Sequence, residues 1–191
     1  MVRENSNRIY TIGHSNHRFD EFSELLQANN IVQIVDVRTS PYSKYNLAFN
    51  RDAIEGRLGL LYIKYDFEGK RLGGRPDDPS CYKNKKLPEE GADYLHLVDY
   101  REIMKKEWFQ EGIANLLKTA KKRITAVMCS EEDPAKCHRH HLIAKYLFEE
   151  SPDTKIIHIR GDGNVFPAQL IRKTVDQKES QQLGLFGNEG E

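Results

Sequence analysis

Cysteine is scarce in this chain, with three residues among 191. An odd, sparse set cannot build a disulfide framework and suits a reducing compartment, so a cytoplasmic protein is expected. Long apolar runs are also missing. None approaches the length that crosses a membrane, so no membrane partner is expected. The N-terminal Met1-Val2-Arg3-Glu4-Asn5 lacks the apolar core of a secretory signal. What is present is ordinary for a globular chain. Apolar residues make up 38% and charged residues 30%, enough for one domain with a core and a tail.

Net charge is absent as well, but the balance of 29 cations against 29 anions hides an asymmetry. Between Arg38 and Lys86 there are 11 Lys and Arg against 6 Asp and Glu; between Leu87 and Asp153 the count is 10 against 13. The basic half is rich in rings, among them Tyr42, Tyr45, Phe49, Tyr62, Tyr65, Phe67 and Tyr82. Cations track phosphates and rings stack on bases. Tyr42, Lys44, Tyr45, Arg51, Arg71 and Arg75 are therefore candidate nucleic-acid contacts. The competing reading is a solvated basic face with core tyrosines.

Strands and helices alternate along the chain. Arg8–Ile12 reads as a first strand, and Phe19, Phe22, Leu25 and Leu26 recur at helical spacing up to Asn29-Asn30. Ile34–Val37 is a short buried strand. Asn50 is placed to cap a helix through Leu58, with Gly59 ending it. Leu61–Tyr65 is a weaker strand, followed by a Gly/Pro-rich loop from Phe67 to about Pro88. Trp108, Ile113, Leu116 and Leu117 mark a helix closed by Lys121-Lys122-Arg123. Ile124–Met128 is a strand, Leu142–Phe148 a helix, and Lys155–Ile159 the last clear strand. The pattern predicts a single α/β domain: a mainly parallel sheet with helices on both faces. Its expected span is residues 8–171, after a flexible stretch 1–7 and before a disordered tail 172–191.

Three polar segments fall at expected carboxyl ends of strands. His14-Ser15 follows the first strand, Asp36 and Arg38 close the second, and Cys129–Arg139 follows a later one. In a parallel sheet these ends share one edge, where ligands bind. His14 or His138 could move a proton near neutral pH. Asp36, or Glu131 and Asp133 in the loop, could act as a base. Cys137 stands near a helix start that lowers a thiol pKa, so it is either a nucleophile or a structural residue. Arg38, Arg139 and Ser15 are the expected anion ligands. The plainer alternatives are that Ser15 or Asn16 caps a helix and that Asp36 and Arg38 only pair with each other. Cys129 reads better as a small buried apolar group than as a reactive thiol. Sequence alone assigns no metal and no cofactor. Cys129, Cys137 and His138 carry suitable atoms, but adjacent residues rarely chelate one ion and no CxxC pair exists. Leu72-Gly73-Gly74-Arg75-Pro76 offers backbone donors without a phosphate-loop pattern.

Four segments together resemble one family. Thr11-Ile12-Gly13-His14-Ser15, Asp36-Val37-Arg38, Leu72-Gly73-Gly74 and Cys129–Arg139 occur in the order seen in the domain-of-unknown-function 488 family. The resemblance covers roughly Tyr10 to Ile159 and implies a compact α/β domain.

The end of the chain is the other informative feature. After Val175 it turns polar, then closes on Gln182-Leu183-Gly184-Leu185-Phe186. Apolar residues in a polar tail have no core of their own to enter. The pentapeptide resembles the short peptide by which bacterial replication and repair proteins bind the DNA sliding clamp. Gln182 would make polar contacts while Leu183, Leu185 and Phe186 fill apolar pockets. Gly184 stands where Ser or Asp is frequent. Clamp and DNA are thus the expected partners. The expected function is a hydrolytic DNA-maintenance enzyme acting on a phosphodiester, a nucleotide or a base–sugar bond. The alternatives are a clamp-recruited adaptor without catalysis, or an enzyme for an anionic metabolite. Changing Leu185 and Phe186 together to Ala should abolish micromolar clamp binding and leave the melting temperature unchanged. A drop of several degrees would instead mean that the tail docks on its own domain.

Overall fold

The structure, a computed structural model, describes residues 7–89 and 91–171. The expected clamp peptide therefore lies outside the described residues. Six short segments dominated by Ile, Val, Thr and aromatic residues pair into one sheet. They are β1 (Arg8–Gly13), β2 (Gln33–Asp36), β3 (Lys64–Phe67), β4 (Thr125–Cys129), β5 (Lys155–Ile159) and β6 (Val165–Pro167). Their order is β3-β2-β4-β1-β5-β6. All neighbours run parallel except β6, which returns antiparallel to β5.

The helices are α1 (Phe19–Ala28), α2 (Arg51–Leu60), α3 (Gly69–Leu72), α4 (Tyr94–Leu97), α5 (Tyr100–Met104) and α6 (Glu107–Ala120), then a π segment (Arg139–Ala144) that continues as α7 (Lys145–Glu150). Alternation along the strands sends side chains to two faces. Ala126 and Met128 of β4 join Phe22 and Leu26 of α1 and Ile54 and Leu58 of α2. Val127 and Cys129 of the same strand join Phe109, Ile113 and Leu116 of α6, with Leu142, Ile143 and Leu147. All five β4 residues are buried, as expected of a central parallel strand covered on both sides. Among the described residues no helix is long and apolar enough to cross a membrane.

The expected architecture is present, with local differences. Gly59 does not end α2, which runs on to Leu60. Leu61 and the left-handed Tyr62 (φ 59°) make the turn instead, so β3 begins at Lys64. Asn50 precedes α2 without capping it, because its Oδ1 accepts the Ser43 amide at 2.7 Å. The Gly/Pro-rich stretch after Phe67 holds α3 and a 3-10 turn (Pro79–Cys81). The chain before α6 forms α4 and α5, for which no apolar period had argued.

The topology dictates where a crevice opens. β4 lies between β1 and β2, with Cys129 beside Gly13 and Met128 beside Asp36. From β1 and β2 the chain turns toward α1 and α2 on one face. From β4 it turns toward the π segment and α7 on the other. Loops that part in this way leave a gap above the strand between them. Gly13 lets that edge close tightly: a Cβ there would collide with the backbone carbonyl of Glu131. Gly13→Ala should therefore cost about 1–3 kcal/mol, since backbone cannot step aside as a side chain can. Thermal unfolding checks this, and an unchanged Tm would mean that the Glu131 turn yields freely.

Candidate active site

Asp36, at the end of β2, is fully buried and fully engaged. Arg38 Nη2 and Nε donate to its carboxylate at 2.6 and 2.9 Å, and Tyr65 Oη donates at 2.7 Å. The backbone amide of Arg38 adds a fourth contact at 3.0 Å. Burial, then the carboxylate beside it, pushes the Tyr65 phenol well up, so it stays a donor. Arg38 reaches onward, its Nη1 donating to His14 Nε2 at 3.2 Å. That assigns the His14 proton to Nδ1, which donates to the Ser15 carbonyl at 2.9 Å. The ring stacks on Phe49 at 4.5 Å. Burial, then Arg38, lowers the His14 pKa to about 4. Asp36 and His14 thus have no lone pair or proton aimed at solvent, and they hold Arg38 in place.

Arg139 also differs from its expected role. It is 0% exposed. Its two terminal nitrogens donate to the carbonyls of Glu131 and Glu132, the second at 2.6 Å. An anion ligand would need those donors free, so Arg139 instead pins the loop after β4. Ser15 serves the same junction through its backbone: its amide donates to the Ser130 carbonyl at 2.8 Å, with φ at 46°. Glu132 fixes the far side, accepting from Arg160 at 2.7 and 2.8 Å. Asp133 caps the short turn Pro134–Lys136, its Oδ1 accepting from the Ala135 amide.

The pinned loop brings four reactive groups together. Cys129 Sγ lies 2.9 Å, and Cys137 Sγ 3.2 Å, from Glu131 Oε2. His138 Nδ1 lies 3.7 Å from the first sulfur and 3.9 Å from the second. Both thiols are free and buried, whereas Glu131 is exposed. Hydrogen bonding to Cys137, then burial, pushes the Cys129 thiol up. Burial would push Cys137 up too, but Cys129, His138 and the Arg139 charge bring it well below the usual thiol range. Burial opposes charge on His138, yet the Cys137 sulfur more than offsets it and raises that imidazole. Both sulfurs contact one carboxylate oxygen, and only the protonated one donates. We assign that proton to Cys129, which has the shorter contact.

A cleft of about 580 Å³ opens above this cluster. Cys129, Glu131, Cys137 and His138 line it, with Arg38, Arg75, Lys136 and Tyr100 around them. Three of the five expected catalytic residues meet there: Glu131, Cys137 and His138. His14 and Asp36 sit behind Arg38 at the same sheet edge. Arg75 lies over the Tyr94 ring at 4.4 Å. The other expected nucleic-acid contacts are spread out. Tyr45 is 99% exposed and Tyr42 57%, with Lys44 exposed between them. Arg51 covers the Phe67 ring, and Arg71 is shared between Glu68 and Glu111.

The profile of the family described as Domain of unknown function DUF488 matches residues 18–147. The chain belongs to this family. No curated protein and no solved structure matches it. Within this DUF488 chain the matched stretch holds Asp36, Arg38 and the whole Cys129–Arg139 loop, while His14 lies just ahead of it.

Sequence reading passed over several residues of the site. Tyr65, Tyr100 and Lys136 had no local signal, because only the fold brings them near. Beneath the loop lies a buried chain: Thr11 Oγ1 contacts His158 Nδ1 at 2.7 Å, and His158 Nε2 contacts His140 Nδ1 at 3.1 Å. Burial, then the neighbouring histidine in each case, lowers His140 to about 4 and His158 to about 3. A histidine held neutral in the fold but protonated in the unfolded chain below about pH 6.5 favours unfolding there. His14, His140 and His158 therefore contribute stability that is complete above that pH and is lost as pH falls toward 4. Each contributes up to about 1.4 kcal/mol per pH unit. His138, raised in the fold, works in the opposite sense, and three outweigh one. The Tm should fall steadily from pH 7 to pH 5, and His158→Gln should flatten the slope. A level profile would show that these histidines accept protons in the native state.

Proposed function

We propose that this DUF488 protein is an enzyme of hydrolytic type that works on an anionic substrate in the cleft above β4. The observation that carries this reading is the meeting of two sulfurs, an imidazole and a carboxylate on the floor of an open cleft. Perturbed groups that share a cleft are what an active site needs and what a packed core avoids. A thiolate can attack directly or hold a metal, and Cys137 is set up as one. Glu131, exposed beside both sulfurs, is the base. Arg75 and Lys136 favour an anion at the wall, where the charge of Arg38 is already met by Asp36. Among the described residues Arg75 and Lys136 have no carboxylate partner, so their charge is available to a ligand.

A nucleic-acid substrate is the second reading, and one observation favours it. Thr39 and Ser40 line the cleft, and the same segment carries the exposed Tyr42, Lys44 and Tyr45 away from it. Rings and a cation leading from a reactive cleft suit a single strand drawn across it. Recruitment by the sliding clamp through Gln182, Leu183, Leu185 and Phe186 belongs with this reading. A cytoplasmic location agrees with three unpaired thiols.

Calorimetry with phosphate and with a nucleotide tests the anion site. Binding should be measurable in the parent protein and about tenfold weaker in Arg75→Ala and in Lys136→Ala, as for loss of one charge-assisted bond. Absence of binding by the parent protein would defeat the reading. If the substrate is a strand, affinity for labelled single-stranded DNA should also fall steeply between about 50 and 200 mM salt. A flat salt response would leave a small anionic metabolite as the substrate.

A further inference from the structure

We propose that Cys129, Cys137 and His138 hold one divalent transition-metal ion, zinc by the character of its ligands, with Glu131 as the proton acceptor beside it. The inference rests on the cleft above β4 being the reaction site and names the group that reacts there.

Geometry carries it. The three ligand atoms all lie within 4.8 Å of one another. Around one tetrahedral zinc, with sulfur at about 2.3 Å and nitrogen at about 2.0–2.1 Å, a sulfur–nitrogen edge measures about 3.6 Å. The observed edges are 3.7 and 3.9 Å. These separations are long for hydrogen bonds, yet they need only a few tenths of an ångström of adjustment to accept an ion. The sequence-level objection was that neighbours such as Cys137 and His138 rarely chelate together. The local backbone removes it. Cys137 is extended at the end of its short turn (φ −135°, ψ 141°), and His138 is already helical (φ −60°, ψ −22°). The change of backbone direction between them turns Sγ and Nδ1 toward one point.

The surroundings support the thiolates and the ring. The Arg139 amide donates to Cys137 Sγ at 3.5 Å, a contact that steadies a sulfur ligand. The Arg139 side chain holds the Glu131 and Glu132 carbonyls, tying the stretch after Cys129 to the one after Cys137. Gly74 packs on the His138 ring closely enough that a Cβ there would sit 2.7 Å from its Cγ. Two soft sulfurs and one imidazole select zinc over magnesium or calcium.

Three protein ligands leave a fourth position, and all three ligands line the cleft. A water there would lose a proton near neutral pH. Glu131 is exposed beside both sulfurs, so with an ion bound its carboxylate would take that proton as the water oxygen bonded to the electrophilic atom of the substrate. Glu131 would then return the same proton to the departing group as its bond broke. No electrons change hands, and no further reactant is required.

The test uses the full-length protein, expressed without a histidine tag. Elemental analysis should find one zinc per chain. After chelation, cobalt(II) should restore the strong visible absorption of a tetrahedral thiolate site. Cys129→Ser and Cys137→Ser should each weaken cobalt affinity by more than about 100-fold, beyond the loss of a supporting partner alone. Cys81→Ser, which alters a buried thiol outside the cluster, should leave it unchanged. Alkylation of the unaltered chain guards against misfolded variants: the ion should protect Cys129 and Cys137, and chelator should expose them. No cobalt binding at micromolar concentration, or binding by the two serine variants as tight as by the unaltered chain, would overturn the proposal. If phosphate still binds in the metal-free cleft, the ion site alone has failed. If the ion binds but no anion does, the substrate reading has failed and the ion site stands.

Discussion

A guanidinium with no access to water holds this molecule's working edge together. Arg139 spends its terminal nitrogens on two consecutive carbonyls of the loop after β4. A buried cation without compensation would cost several kcal/mol. Here the compensation is chemical as well as structural, because its charge helps to depress the Cys137 thiol. The group that fixes the loop also sets the protonation of the residue that the loop presents. Loop geometry and thiolate chemistry are therefore not separable in this protein.

A buried ion pair does analogous work on the opposite wall. Asp36 satisfies Arg38 through its side chain and its amide, and Tyr65 and His14 close the remaining valences. The result is a cleft wall that cannot swing away, because the planar guanidinium ties the ends of β1 and β2 together through His14 and Asp36.

Much of this could be read in the chain, and the limits are instructive. Ile34–Val37 and Ile124–Met128 announced buried strands because runs of Ile and Val have few other uses. The strand ends then marked the polar segments, and the Cys129–Arg139 loop stood out by its composition. Individual roles were harder. Arg139 next to a cysteine and a histidine suggests a ligand site, and nothing local reveals that its donors face inward. Asp36 and His14 have the right chemistry for acid–base work, but their hydrogen bonds go to Tyr65, Arg38 and the Ser15 carbonyl. The β3 boundary slipped because Tyr62 takes a left-handed turn that a β-type residue does not advertise. Convergence of Cys129, Cys137 and His138 depends on a backbone turn between adjacent residues, and composition does not encode such a turn.

The π segment at Arg139–Ala144 makes chain length itself a constraint. An α-helix advances about 100° per residue, and a π turn accommodates one residue more than an α turn does. Leu142, Ile143 and Leu147 hold the segment and α7 against β4. Such a π turn holds its extra residue without rotating the chain on either side, and with one residue fewer it would close to an α turn. One residue added to or removed from the regular helix beside it would instead rotate everything before it by about 100° relative to those anchors. Cys137, His138 and Arg139 would then leave the loop. Changes of length are thus expected inside the wide turn and not in the helix that follows it.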